Sequence, residues 1–454
     1  MSAAAAVNAP LAVRPTNRDL ARRILALAAP TTLLSALQVV ALLIETIIAA
    51  RLGRGALAGW AVVLPFALLL GQMSAGAMGG GVVSAIARAL GAKKEEEASA
   101  LAVHALLIAT GFAAMFVIVL AGFPRSLLTV IGGPEAAAAA VPYSIALFGG
   151  GAVPAWLANT LASILRGAGK HALAARVLNF AWLSYPPLAF LFSDTLGFGL
   201  MGIGIAFALV FWVAAAVMSA VVFSGAAGFT PNLRVTLRWA LFQRILAVGA
   251  VACCLAVVAN MATILVTARL ASYGSAAVAA YGVSARLEFM MIPLAFGVGS
   301  ALTALVGRAV GQGDWETARR TAWVGGAMAF GVCSSVGLSV ALFPLGFANL
   351  FASDAEVAAI AARALSFIGP AFGGFGLGMA MYFAAMGAGR MGYPVAAGLS
   401  RLAVAVGGGW WLGDVMGWGM DGQFLAVALG VTVYGVLAAV AVRPGVWGPR
   451  ASSF

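Results

Sequence analysis

Stretches of about 20 apolar residues, each close to 30 Å long when helical, recur along the whole chain between short polar breaks, and about twelve can be counted. The strict apolar/polar alternation of a membrane barrel strand is missing, while Ala, Leu and Gly dominate the spans. The pattern predicts an all-α integral membrane protein. The first span, residues 24 to 50, has one ionisable residue, Glu45. Thr31, Gln38 and Glu45 stand seven residues apart, about two helical turns, so they share one face of a helix otherwise made of Leu, Ile, Val and Ala. A carboxylate in hydrocarbon costs about 2.5 to 3.5 kcal/mol to insert, so such residues usually face a bundle interior and mark an ion or substrate path. The alternative is a capped helix end, with Glu45 near Arg51 and Arg54.

The pattern also repeats at a spacing of about 220 residues. Arg88, Gly91, Glu96 and Ala98 return as Arg308, Gly311, Glu316 and Ala318; Gly167-Ala168-Gly169-Lys170 returns as Gly387-Ala388-Gly389-Arg390. Gly197, Gly199, Gly202 and Ala206 return as Gly417, Gly419, Gly422 and Ala426. Each copy holds about six spans, an even number, so both enter the membrane from the same side. The expectation is twelve helices in two six-helix lobes related by a pseudo-two-fold along the membrane normal, with a cleft between them. The corresponding divisions are an N-terminal tail over 1–23, lobe one over 24–223, a linker over 224–238, lobe two over 239–443 and a C-terminal tail over 444–454. Within the run from Ala56 to Leu90, Pro65 and the cluster Gly76, Gly79, Gly80, Gly81 predict a kink or very close helix packing.

Composition agrees with a bilayer. With 63% hydrophobic and 9% charged residues and a mean hydropathy of +1.04, the chain has too little polar surface for a soluble globule. The net charge of +12 lies mostly in the tails and even-numbered loops, including Arg14, Arg18, Lys93, Lys94, Arg166, Lys170, Arg234, Arg319, Arg390 and Arg450. By the positive-inside rule both termini face the cytoplasm of a bacterial-type inner (plasma) membrane, and the charge does not indicate a nucleic-acid partner. The basic residues follow the Ala-rich start instead of preceding it, the wrong order for a cleavable signal, so the tail is expected to be retained. Cys253, Cys254 and Cys333 sit within apolar spans with no disulfide or zinc spacing. The Gly197, Gly199, Gly202 series lacks a preceding strand and does not read as a dinucleotide site, and no cofactor is expected.

Of the 14 acidic residues, only Glu45 and Glu288 fall well within spans, and these are the candidates for a coupling ion or proton. Helix 8 sets Tyr281, Ser284 and Glu288 on one face. Arg401 on helix 11 or Arg286 could instead pair with Glu288 and lock the lobe. Further polar candidates are Gln38 on helix 1, Asn159, Ser163 and Arg166 on one face of helix 4, Asn179 on helix 5, and Asn260, Thr263 and Thr267 on helix 7. Thr263 aligns with Glu45, so the two lobes are chemically unequal. Trp60, Trp156, Trp182, Tyr143, Tyr382, Met290, Met291, Met379 and Met381 could line a cleft suited to lipophilic cations, although ordinary packing accounts for most such residues. His104 on helix 3 is either a proton relay or a hydrogen-bonded structural residue.

These blocks in this order resemble the multidrug and toxic compound extrusion (MATE) family over nearly the whole chain. The carriers are Glu45-Thr46 with Arg51-Leu52-Gly53, Arg88-Ala89-Leu90-Gly91-Ala92 with its repeat Arg308-Ala309-Val310-Gly311-Gln312, Leu165-Arg166-Gly167-Ala168-Gly169-Lys170, and the stretch from Ala280-Tyr281-Gly282 through Glu288 to Pro293. The resemblance implies antiport of protons or sodium against small organic, often cationic, substrates; separately, a monomer embedded in the lipid bilayer is expected. It places the family's first-helix acid, usually Asp, at Glu45. Two departures bear on the ion: on helix 5 the chain has Asn179 and Leu183 where many members pair Asn with Asp, and on helix 7 it has Asn260 where the NorM branch has an acid. Both favour protons over sodium. A flippase for lipid-linked precursors is the alternative within the superfamily, expected to need a more basic cleft. An enzyme would need clustered nucleophiles, bases or metal ligands, which two isolated histidines and two membrane acids do not supply.

Overall fold

A computed structural model of the chain describes residues 15–352 and 354–448; the parts of the two tails that carry Arg14 and Arg450 lie outside the described residues. The first six long helices are α1 (Asn17–Arg51), α2 (Arg54–Gly91), α3 (Glu95–Gly122), α4 (Pro124–Gly167), α5 (His171–Phe190, continued by a π turn Leu191–Thr195) and α6 (Gly199–Phe223). The second six are α7 (Trp239–Tyr273), α8 (Ser275–Gly311), α9 (Trp315–Leu342), α10 (Ala355–Ala388), α11 (Gly392–Val415) and α12 (Gly419–Val440), with a short helix Pro344–Asn349 after α9. Among the described residues 11 helices are long and apolar enough to cross a membrane. The twelfth, α5, is diluted by His171, Arg176, Asn179 and Asp194. No strand occurs among the described residues.

The chain divides into two compact units, one holding residues 27–250 and the other 251–448 with the start of α1 up to residue 26. We call these lobe one and lobe two. In lobe one α4 is the central helix, packed by α2, α3 and α6; in lobe two the repeat-related α10 is packed by α8, α9 and α12. The division falls inside α1 and α7, and side chains explain why. The start of α7 belongs to lobe one because Arg244 pairs with Glu97, Phe242 meets the His104 ring at 4.6 Å, and Gly249 crosses Gly81. A Cβ on Gly81 would lie 2.8 Å from the Gly249 nitrogen, so this crossing requires glycine. The start of α1 is held in lobe two, where Arg320 donates to Asn17 Oδ1 at 2.9 Å.

The linker over 224–238 is strapped to α3. Ser99 Oγ donates to the Thr230 carbonyl at 3.1 Å and accepts from the Asn232 N–H at 2.9 Å, while His104 Nε2 accepts from the Arg238 N–H at 3.0 Å. His104 Nδ1–H donates to the Ala100 carbonyl at 2.7 Å, which sets the tautomer. Lobe two treats the segment after α12 in the same way: Arg319, the repeat counterpart of Ser99, donates to the Trp447 carbonyl, and Arg390 to the Gly448 carbonyl, both at 2.7 Å.

The break expected in the long second span is a π turn, Gln72–Ala77, ahead of the buried Gly79, Gly80 and Gly81. A second π turn, Ile145–Gly150, interrupts α4. Neither has a π counterpart in lobe two, where α8 is one continuous α-helix through Pro293 and α10 instead carries a 3-10 turn at Gly369–Ala371. Each insertion rotates the side chains that follow it, so lobe one presents different faces from the same topology.

Candidate functional site

Glu45 lies six residues before the end of α1 and is 9% exposed. One carboxylate oxygen, Oε1, accepts from Trp60 Nε1 of α2 at 2.8 Å and from the Tyr143 hydroxyl of α4 at 2.7 Å. Tyr185 of α5 stands beside it, its buried hydroxyl facing the carboxyl group without reaching full hydrogen-bond geometry. Four helices therefore converge on one carboxyl group. Tyr143 falls between Pro142 and the π turn, where the adjacent Ser144 ties α4 to the Leu120 carbonyl of α3 at 2.7 Å. Tyr185 precedes Pro186 and Pro187, and Trp182 and Phe207 pack edge-on against it at 5.8 and 5.9 Å, with Phe211 edge-on to Trp182 at 5.6 Å.

No cation pairs with Glu45 among the described residues. Arg51, the neighbour that a capped helix end would have used, reaches Asp194 at 3.2 Å and rests over Phe190. The site is a carboxyl group held by neutral donors in an aromatic enclosure, a group that can exchange a proton or cation without first breaking an ion pair.

Lobe two handles its deep acid differently. Glu288 on α8 pairs with Arg401 on α11, the two side chains being 17% and 14% exposed. The guanidinium sits 5.6 Å from the Phe375 ring centre and 6.0 Å from that of Tyr434. Arg286 points outward. Tyr281 and Ser284 are buried, and the Ser284 hydroxyl has no partner among the described residues.

The remaining polar candidates are scattered. Gln38 is half-buried, and Thr31 spends its hydroxyl on the Leu27 carbonyl of its own helix at 3.4 Å. Asn159 donates to Ser74 Oγ in the α2 π turn at 2.9 Å. Asn179 is half-buried with its carbonyl oxygen unpaired among the described residues. Asn260 is exposed and bonds the Ala256 carbonyl, and the half-buried Thr263 lends its carbonyl to the Thr267 hydroxyl, each at 2.8 Å. Of the aromatic and thioether residues, Trp156 stacks on Phe112, Tyr382 packs on Phe383, Met381 and Met291 are buried, Met379 sulfur takes the Tyr434 hydroxyl, and Met290 is exposed. Among the described residues no three His, Cys, Asp or Glu converge as metal ligands.

At the far end of each first helix the same pair recurs, Arg51 with Asp194 and Arg269 with Asp414. The second pair borders an open cavity of about 440 Å³ lined also by Leu265, Ala268, Ser272 and Val406.

A family model named MatE matches residues 30–191 and then residues 249–411, one match per copy of the internal repeat. The chain belongs to the MatE family. A curated relative, the probable multidrug resistance protein NorM of Xanthomonas axonopodis pv. citri, is 27% identical over 295 residues; this match covers 63% of the chain and 64% of the relative's own length. Among solved structures, a MOP superfamily transporter from Pyrococcus furiosus superposes with a TM-score of 0.87 at 22% identity, covering 98% of this chain and 97% of that one. An outward-facing multidrug resistance MATE family transporter gives 0.86 at 23% identity, with 95% and 96% covered. A Vibrio cholerae MATE transporter gives 0.85 at 22%, with 94% and 97% covered. These similarities establish the MatE fold over nearly the full length.

Within this MatE chain, reading the sequence located Glu45 but not its partners. Trp60 and Tyr143 were legible only as members of a general aromatic set, and Tyr185 carried no signal beyond its place before two prolines. Their separations from Glu45, 15 residues for Trp60 and 98 for Tyr143, have no periodic meaning.

Proposed function

We propose that this MatE protein is a proton-coupled exporter of small organic, often cationic, compounds, working by alternating access in a bacterial-type inner membrane with both termini in the cytoplasm. The observation that carries the reading is Glu45, a buried carboxyl group bonded to Trp60 and Tyr143 with no cation beside it. Substrate enters from the cytoplasm or the inner leaflet. A proton arriving from outside neutralises Glu45, lowers affinity for a cationic substrate and favours outward release; the proton leaves when the protein faces inward again. An ionised carboxylate accepts from both Trp60 and Tyr143, whereas the acid must also place a proton of its own, so the two protonation states prefer different arrangements of these side chains. The NorM relative's description as a probable multidrug resistance protein supports the substrate class. Proton coupling over sodium rests on the absence of an acid at Asn179, Leu183 and Asn260.

The test is export of a fluorescent cation from proteoliposomes under an imposed proton or sodium gradient, with Glu45→Gln alongside. Efflux driven by protons and absent in the variant is expected. Sodium-driven efflux would overturn the coupling assignment, and full proton-driven efflux in Glu45→Gln would overturn the role of Glu45.

A further inference from the structure

Lobe one contains a buried polar column that the repeat-related positions of lobe two replace with apolar side chains. On α4, Ser163 Oγ donates to the Asn159 carbonyl at 2.8 Å, and a terminal guanidinium nitrogen of Arg166 donates to Ser163 Oγ at 3.2 Å. Arg166 is 3% exposed, and His171, the first residue of α5, lies beside it at 1% exposed. The repeat places Met379, Phe383, Met386 and Met391 in lobe two at the positions of Asn159, Ser163, Arg166 and His171. Phe383, Met386 and Met391 are buried there, so this point of the fold is filled without a charged side chain.

Lobe one nevertheless keeps a guanidinium and an imidazole, and the protein does not satisfy them. Arg166 Nε and both His171 ring nitrogens are buried with no partner at full hydrogen-bond geometry among the described residues, the imidazole lying near the Arg166 backbone. None of the ion pairs among the described residues involves Arg166. Glu97 is taken by Arg244 and Lys94, and Glu95 and Glu96 point outward. A guanidinium does not shed its proton, and a buried charge without a counterion is among the costliest features a fold can carry.

We propose that Arg166 and His171 bind a small monovalent inorganic anion, of the chloride class, where α4 passes into α5. The guanidinium supplies the countercharge and its Nε–H one donor; the imidazole N–H supplies the second. The surroundings select a small ion. A Cβ on Gly167 would lie 2.9 Å from that of Ile86, and one on Gly79 would lie 2.7 Å from Ser163 Oγ, so α2 and α4 are already as close as their backbones allow.

Purified full-length protein is heated in potassium chloride, bromide, gluconate or phosphate at equal ionic strength, and Tm is followed against anion concentration. Chloride and bromide should raise Tm saturably above gluconate. Arg166→Met, alone or with His171→Met, installs the lobe-two residues and should weaken half-saturation by roughly tenfold or more. Bromide-soaked crystals of the unaltered protein should show an anomalous peak against the Arg166 guanidinium. The proposal is overturned by equal Tm in chloride and gluconate, by an undiminished response in the double variant, by a response to phosphate but to neither halide, or by bromide peaks confined to the surface, the mark of an adventitious ion only.

Discussion

Lobe one and lobe two each carry one deep carboxylate on the same twelve-helix plan, and they surround it with opposite chemistry. Glu45 is held by an indole and a phenol, with a second phenol beside it. Glu288 is neutralised by Arg401, whose guanidinium lies against two aromatic rings. A carboxylate between neutral donors can change its protonation state at the cost of rearranging hydrogen bonds. One locked to a guanidinium must abandon a buried counterion to do so, which makes it structural in effect. The contrast extends along the lobes: the Asn159, Ser163, Arg166 face of α4 is Met379, Phe383, Met386 in α10, and the π turns of α2 and α4 have no π equivalent in α8 and α10. One topology thus carries two settings for a deep carboxylate, neutral donors in lobe one and an ion pair in lobe two.

Six variants would break or sharpen this contrast. Glu45→Gln has the largest expected effect, reducing proton-driven export to the level of empty liposomes with folded protein still in the membrane. Glu288→Ala should act on stability before transport: it strands the Arg401 charge, and a loss of about 3 to 5 kcal/mol is expected. Glu288→Met with Arg401→Met should recover much of that loss in a thermal melt; a double variant no more stable than the single one would mean that Glu288 has a role beyond its partner. Tyr143→Phe removes one donor to Glu45 and should slow export roughly tenfold, the worth of a hydrogen bond to a charged group of about 1.5 kcal/mol. An equal slowing by Tyr281→Phe in lobe two would erase the distinction between the lobes. Arg51→Ala should cost least, about 0 to 1 kcal/mol, because its pair with Asp194 is largely open to its surroundings.

The linker offers a second comparison. Ser99 and Arg319 occupy aligned positions at the start of α3 and α9, and each fastens the segment that follows its own lobe's last helix, one by a hydroxyl and the other by a guanidinium. Sequence alignment shows a replacement there; only the fold shows a shared task. His104 resolves in the same way, because its two nitrogens are committed to Ala100 and Arg238, a structural use in place of a relay.

Hydrophobic periodicity by itself determined the helices, their number and their twofold repetition, because a bilayer forces spanning backbone into helical hydrogen bonds and requires about 20 apolar residues of each span. It also singled out Glu45 and Glu288, since a charge is conspicuous where water is excluded. Tertiary structure alone decided what each acid meets. Trp60, Tyr143 and Tyr185 come from three other helices at separations no period relates, and Arg401 stands 113 residues from Glu288. The division between the compact units was likewise invisible, falling inside α1 and α7 instead of at the glycine-rich linker, because Gly81, Gly249 and Glu97 bind the start of α7 to lobe one. Local sequence sets which residues share a helix face; which faces meet depends on packing across the whole lobe.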